Sequence, residues 1–188
     1  MRIISGNFKG KKILLPRDKL TRPLKDLTKE SIFNIIKHSK LLDIKLENAN
    51  ILDLFSGIGS FGLECLSRGA KTVTFLESYK EVLTVLKKNI ENLKQQDSAD
   101  IIEKDIFAEN TLKTLNNKFD IIFMDPPYKE KKLSDLLNSI IKIKLLKDNG
   151  VIIIHRHKKE EDVFPEQFNI MIKKNYGISK IIFGNILA

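Results

Sequence analysis

A chain of 188 residues is long enough for one domain with a hydrophobic core and short for two. Hydrophobic residues make up 42% and charged residues 30%, a globular balance, and no apolar run approaches the roughly 20 residues of a membrane helix. The net charge is +9, and it is concentrated: Met1 to Lys25 holds eight basic residues against the single acid Asp18, so that segment carries +7 and the rest is near neutral. A basic arm beside a neutral body, with no amphipathic apolar helix, implies a nucleic acid partner rather than a membrane surface. MRIISGNFKGKK lacks the apolar stretch of a signal peptide, and the lone Cys65 can close no internal disulfide or zinc site. A cytoplasmic chain with Cys65 as a small buried apolar side chain is the expectation.

In chain order, Arg2 to Ile4 and Lys12 to Leu15 read as two short strands of a hairpin turning through Gly6 to Gly10. Leu27, Ile32, Phe33, Ile35 and Ile36 predict a helix from about Asp26 to His38, and a connector follows to Asn48. From Asn50 short apolar runs alternate with amphipathic stretches: ILDLF, a helix through Leu63 and Leu66 ending at Gly69, TVTFLE, a helix near Tyr79 to Lys94 and DIIEK. A short helix near Ala108 to Leu115, FDIIFMD, a helix near Lys132 to Lys142 and GVIIIH continue the rhythm. This alternation demands a mostly parallel sheet with helices on both faces, an α/β fold. FNIMIKK and ISKIIFGNIL are separated only by Asn175-Tyr176-Gly177, too little for a crossover, and form an antiparallel hairpin. Residues 1–48 are expected to be a basic, nucleic-acid-contacting extension, which the family resemblance below makes an RNA-contacting one, and residues 49–188 the main domain.

The first chemical signal is LDLFSGIGSFG, Leu52 to Gly62, between the first strand of the sheet and its helix. Gly57, Gly59 and Gly62, with Glu77 about 20 residues beyond Gly57, satisfy the dinucleotide fingerprint. Asp53, four residues before Gly57, separates two cofactors: its carboxylate suits the ammonium of S-adenosylmethionine and would repel the pyrophosphate of a nicotinamide dinucleotide. Glu77 suits either, since ribose hydroxyls are common to both. Asp105 follows the third strand, where its side chain could accept from an adenine amine while the Ile106 N–H serves a ring nitrogen; a turn-capping role competes. Phe55 completes the cofactor set.

The second signal is Asp125-Pro126-Pro127-Tyr128, directly after the fourth strand, at the carboxyl edge where open α/β sheets hold ligands. Prolines fix the chain direction and lack N–H groups, so the Pro126 carbonyl and the Asp125 carboxylate can face a ligand as two acceptors. They match the two hydrogens of an exocyclic amine, whose lone pair they would localise for attack on an activated methyl group. Tyr128 offers a face on which an extruded base stacks. Lys129, after it, can reach a phosphate as readily as it can solvate a helix start. His38, His155 and His157 lack partners at metal-ligand spacing and are read as non-ligands.

With DPPY behind LDLFSGIGSFGLE, the chain resembles class I S-adenosylmethionine-dependent methyltransferases that act on exocyclic amines. RIISGNFKGKKI, TRP at Thr21 to Pro23, KESIFN at Lys29 to Asn34, GLECLSRGA at Gly62 to Ala70 and the late Tyr176-Gly177 narrow the resemblance to the bacterial RsmD family over nearly the whole chain. The resemblance implies a Rossmann-like fold and methylation of the N2 amine of guanine 966 in 16S rRNA, as naked RNA or in the small ribosomal subunit. It places cofactor residues on Asp53, Gly57, Gly59, Glu77 and Asp105 and the catalytic tetrad on Asp125 to Tyr128. Arg2, Lys9, Lys11, Lys12, Arg17, Arg22 and Lys129 become RNA contacts, with no metal, no membrane and a monomeric enzyme expected. Leu24 and Leu27 stand where the family usually has a threonine and an arginine. His155-Arg156-His157 stands where many members have an acid, and no role is assigned to it. A DNA amino-methyltransferase, a nicotinamide oxidoreductase and a non-catalytic rRNA assembly factor are the alternatives.

Overall fold

A computed structural model describes residues 1–17 and 24–187. Seven strands form one sheet in the order β3-β2-β1-β4-β5-β7-β6: β1 Asn50–Leu54, β2 Thr72–Leu76, β3 Ala99–Ile102, β4 Phe119–Met124, β5 Leu146–His157, β6 Phe168–Tyr176 and β7 Ser179–Ile186. The first five are parallel, and β7 pairs antiparallel with both β5 and β6, as the short Asn175 to Gly177 link requires. Among the described residues four α-helices accompany them: α1 Asp26–His38, α2 Ser60–Ser67, α3 Lys80–Asn92 and α4 Leu133–Lys142. The Rossmann-like expectation is therefore met, hairpin included.

Two apolar clusters lie on the two faces of the sheet. In one, Phe33 of α1 stacks on Phe61 of α2 at 5.2 Å, and Phe61 stacks on Phe123 of β4 at 4.0 Å. This aromatic column ties the N-terminal helix to the centre of the sheet. In the other, α4 lays Leu133, Leu136, Leu137 and Ile140 against Ile122, Ile152 and Ile154. Spacings of three and four put those α4 residues on one stripe.

Two sequence expectations need correction. The N-terminal hairpin holds an isolated antiparallel bridge, Arg2 to Lys12, in place of two strands. The amides are committed elsewhere: Ile4 and Ser5 N–H donate to the Glu64 carboxylate at 2.8 and 2.9 Å, and Asn7 and Phe8 N–H to the Ser67 carbonyl and hydroxyl. The helix expected near Ala108 to Leu115 is a single 3-10 turn, Leu112–Thr114. Asn110 stands at φ 64°, outside helical space, and the Thr111 hydroxyl bonds back to the Asp105 carbonyl.

Glu64, fully buried on α2, is the anchor of the arm. Besides two arm amides it accepts from Arg68 Nε at 2.8 Å and faces the Lys29 ammonium at 3.6 Å. Lys29, equally buried, donates to the Arg2 carbonyl at 3.0 Å. Burial lowers the Lys29 pKa, while Glu64 and then Asp26 oppose that shift. A second anchor is Asn89 of α3: it accepts from Leu14 N–H and donates to the carbonyls of Leu14 and Ile58, joining the arm to the glycine loop. The Glu64→Ala variant leaves Arg68 Nε and two amides without their acceptor and takes the nearest counter-charge from Lys29. It should lose about 3 kcal/mol in urea unfolding, with early proteolysis confined to the arm.

Candidate active site

β1 is flanked by β2 on one side and β4 on the other, so the chain reverses its direction of sheet growth between β1 and β4. A crevice opens at the carboxyl ends of strands at such a switch point. Leu54 is registered with Met124, which brings Phe55 and Asp125 out side by side. The cleft there has a volume of about 830 Å³. It gathers Asp53, Phe55, Gly57, Glu77, Asp105 and all four residues of the Asp125 to Tyr128 string, which lie up to 75 positions apart in the chain.

Asp53 has 1% of its surface exposed. One carboxylate oxygen accepts from the Gly62 N–H at 2.9 Å; the other, Oδ1, is buried with no hydrogen-bond partner among the described residues. Burial pushes the Asp53 pKa well above the usual carboxylate range, the Gly62 bond pulls the other way, and the negative Asp125 and Glu77 nearby raise it further. A buried anion oxygen left open beside a cleft fits a cationic ligand group. An ammonium would satisfy both its charge and its lone pairs.

Glycines shape the loop for two separate reasons. Gly59 adopts φ 81° at the start of α2, in the left-handed region that L side chains avoid. Gly62 has no side chain because a Cβ there would lie 2.4 Å from the Phe75 ring, so α2 packs tightly on β2 and its N–H reaches Asp53. Gly59 does not line the cleft and acts through the turn. Phe55, at φ 58° without being glycine, turns the chain out of β1 and meets Phe107 with ring centres 6.0 Å apart.

The Glu77 carboxylate is already engaged. Oε2 accepts from Gly57 N–H at 2.9 Å, and Oε1 accepts from Ser78 and Tyr79 N–H, holding the start of α3. With two lone pairs per oxygen, it keeps one open position on Oε2, so the two-hydroxyl reading requires the Gly57 contact to yield. Asp105 is exposed and lines the cleft, with Oδ1 accepting from Phe107 N–H at 2.9 Å; the turn-capping role is therefore real, and Oδ2 remains for a ligand. The Ile106 side chain is buried and not among the cleft-lining groups.

At the other wall, Asp125 is held by His155, whose Nδ1 lies 2.7 Å from Asp125 Oδ1. Arg156, 2% exposed, donates to the carbonyls of Pro127 and Glu130 at 3.0 and 2.9 Å. Sequence reasoning assigned these two residues nothing, and no spacing signal could have found them: they act on a loop 30 residues earlier through strand pairing. The Tyr128 ring stands edge-on to His157 at 5.2 Å and to His155 at 6.5 Å. Leu24 is buried and lines the same cleft, whereas Leu27 is 71% exposed. Arg2, Lys9, Lys11, Lys12, Arg17 and Lys129 are all exposed; Arg22 lies outside the described residues. No group of three or more potential metal ligands clusters among the described residues.

The family model described as conserved hypothetical protein 95 matches residues 1–185. The ribosomal RNA small subunit methyltransferase D of Buchnera aphidicola (from Acyrthosiphon pisum) is 35% identical over 176 residues, covering 92% of this chain and 86% of that one. Its namesake in Haemophilus influenzae is 33% identical over 181 residues, covering 95% and 90%. The solved structure of Escherichia coli yhhF, provisionally assigned as a methyltransferase, superposes with a TM-score of 0.81 at 26% identity, covering 100% of this chain and 98% of that one.

A folded pKa above the unfolded one means that the fold favours the neutral acid. The stability Asp53 contributes is therefore present below the ordinary carboxylate range and lost as pH rises toward its folded value. Asp53→Asn should raise the thermal midpoint at neutral pH, with the gain shrinking in acid.

Proposed function

The chain belongs to the conserved hypothetical protein 95 family, which is the RsmD family, and from that premise we propose that it methylates ribosomal RNA of the small subunit at the exocyclic N2 amine of a guanine, with S-adenosylmethionine as donor. The observation that carries this reading is the sharing of one cleft by an unpartnered buried Asp53 oxygen and the whole Asp125 to Tyr128 string. The relatives' names support rRNA as the substrate class; guanine 966 in 16S rRNA follows from the family resemblance.

The bound donor supplies a methyl group on a positively charged sulfur, a good leaving group that removes the need for a strong base. Asp53 Oδ1 holds the donor's ammonium, the open position on Glu77 takes a ribose hydroxyl, and Asp105 Oδ2 accepts from the adenine amine. Asp125 and the Pro126 carbonyl accept the two N–H bonds of the target amine, turning its lone pair toward the donor side of the cleft. Asp125 also receives the proton that the methylated amine must release. Tyr128 holds the extruded base by its face.

Residues 1–48 serve as the RNA-contacting extension and residues 49–188 as the methyl-transfer domain. The exposed Arg2, Lys9, Lys11, Lys12 and Arg17 of the arm, together with Lys129 beside the cleft, contact phosphates, and Arg22 joins them by sequence. The fit to an ammonium argues against a nicotinamide cofactor, and the intact tetrad argues against a purely structural assembly factor.

The decisive experiment incubates the protein with methyl-labelled S-adenosylmethionine and, separately, unmodified rRNA, small subunits and duplex DNA, and then maps the labelled base. Label on guanine N2 of 16S rRNA is expected; label on DNA adenine or cytosine would replace the reading with a DNA amino-methyltransferase. Asp125→Ala should lower turnover about 100-fold with donor binding little changed. Tyr128→Phe should be mild and Tyr128→Ala severe, because only the second loses the stacking face. Neutralising Lys9, Lys11 and Lys12 together should flatten the salt dependence of RNA affinity by about 0.7 per lost phosphate contact on a log–log plot.

A further inference from the structure

His155 and Arg156 close β5, and their side chains take hold of the same loop at three points. His155 is 6% exposed, with Asp125 Oδ1 at 2.7 Å from Nδ1 and Ser179 Oγ at 2.9 Å from Nε2. A carboxylate only accepts, so Nδ1 carries a hydrogen and donates to Asp125, while Nε2 and the Ser179 hydroxyl share the second bond. Asp125 Oδ2, which takes no part in the His155 bond, is the oxygen that faces a substrate in this reading. Arg156 bonds the carbonyls of Pro127 and Glu130, and its Nε donates to Asp162 at 2.9 Å; Lys180 flanks Asp162 at 3.3 Å. Successive strand residues point to opposite faces, so the loop is held from both sides of the sheet. Ser179 and Lys180 come from β7, paired antiparallel with β5.

We propose that His155 and Arg156 are the positioning residues of methyl transfer: His155 aims the Asp125 carboxylate, and Arg156 fixes the path of the loop that presents Pro126 and Tyr128. The proposal rests on the methyl-transfer reading above. It also gives the C-terminal hairpin a task, since β7 supplies the hydroxyl that holds the far side of the His155 ring and a cation that helps hold Asp162. The groups facing the His155 ring are Asp125, Ser179 and the edge of Tyr128. None of them needs to exchange a proton with the ring for the aim to hold.

The substitutions separate positioning from mere packing. His155→Asn keeps an N–H near the place of Nδ1 and should stay within about 3-fold of the original kcat; His155→Leu fills the space without a donor and should fall by about 30- to 100-fold. In both, donor affinity by calorimetry and KM for RNA should change by less than about 3-fold. Arg156→Lys offers one ammonium for two carbonyls and a carboxylate, so amide exchange at Tyr128 to Glu130 should quicken while β1 amides stay protected. Nitrogen-15 spectra of the wild-type ring should show a hydrogen on Nδ1, with its resonance moving in Asp125→Ala. Equal losses in Asn and Leu, wild-type turnover in Leu, or a ring protonated only at Nε2 would overturn the proposal. Should His155→Leu fail to fold, the Asn variant and the ring spectrum still decide. A wild-type protein that methylates no RNA or DNA sinks the functional reading, and the ring spectrum and the exchange rates then report separately on whether the clamp exists.

Discussion

The parallel pairing of β1 with β4 is the constraint on which the rest of the structure depends. Crossover connections in parallel sheets are right-handed, so building β2 and β3 to one side of β1 and β4 and β5 to the other sends the helices to opposite faces. Nothing then covers the carboxyl ends of β1 and β4. The register that matches Leu54 with Met124 turns this gap into a cleft with the glycine loop on one wall and the proline loop on the other. Each later feature stabilises one of the two walls.

Three buried polar assemblies do this in different ways. Glu64 is fully used: two amides, Arg68 and Lys29 surround it, and the basic arm is fixed against α2 as a result. Asp162 is shared by Arg156 and Lys180, and through Arg156 it holds the loop after β4. Asp26 Oδ1, Asp53 Oδ1 and Asp162 Oδ2 are all buried without a hydrogen-bond partner among the described residues, but a lysine ammonium lies 3.8 Å from the first and 3.3 Å from the last, and Asp53 has no such cation beside it. A buried carboxylate left this way is held at a cost of several kcal/mol unless it is neutralised, and its raised pKa is the sign of that cost. Asp53 lines the cleft, whereas Glu64 and Asp162 lie away from it, each beside its cations.

The arm is more than a charged tail. Ile3 and Ile13 are buried in the same cluster as Phe33 and Phe61, and Asn89 ties Leu14 to the carbonyl of Ile58 in the glycine loop. The arm is therefore joined by hydrogen bonds to the glycine loop that forms one wall of the cleft. Leu24 extends this continuity into the cleft itself.

Much of the fold was open to reading from sequence, because burial on both faces leaves continuous apolar runs such as ILDLF and FDIIFMD, and one buried face leaves a helical stripe such as that of α4. The positions that line the cleft were readable for a related reason: glycine, proline and acidic residues at strand ends are local solutions to local backbone demands. The residues that failed to follow local rules did so for tertiary reasons. Ile3 and Ile13 N–H still cross to the Lys11 and Met1 carbonyls, but Ile4 N–H bonds to Glu64 and Leu14 N–H to Asn89 instead of continuing a ladder, and Asn110 leaves helical space. His155 and Arg156 look like the polar end of a strand, and only the β4–β5 and β5–β7 pairings bring them to Asp125, Pro127 and Glu130. Sequence alone determined which chemical groups stand at the ends of the strands; the three-dimensional packing decided which of their lone pairs are spent and which are left open, because a hydrogen-bond partner is chosen by distance in space and carries no period along the chain.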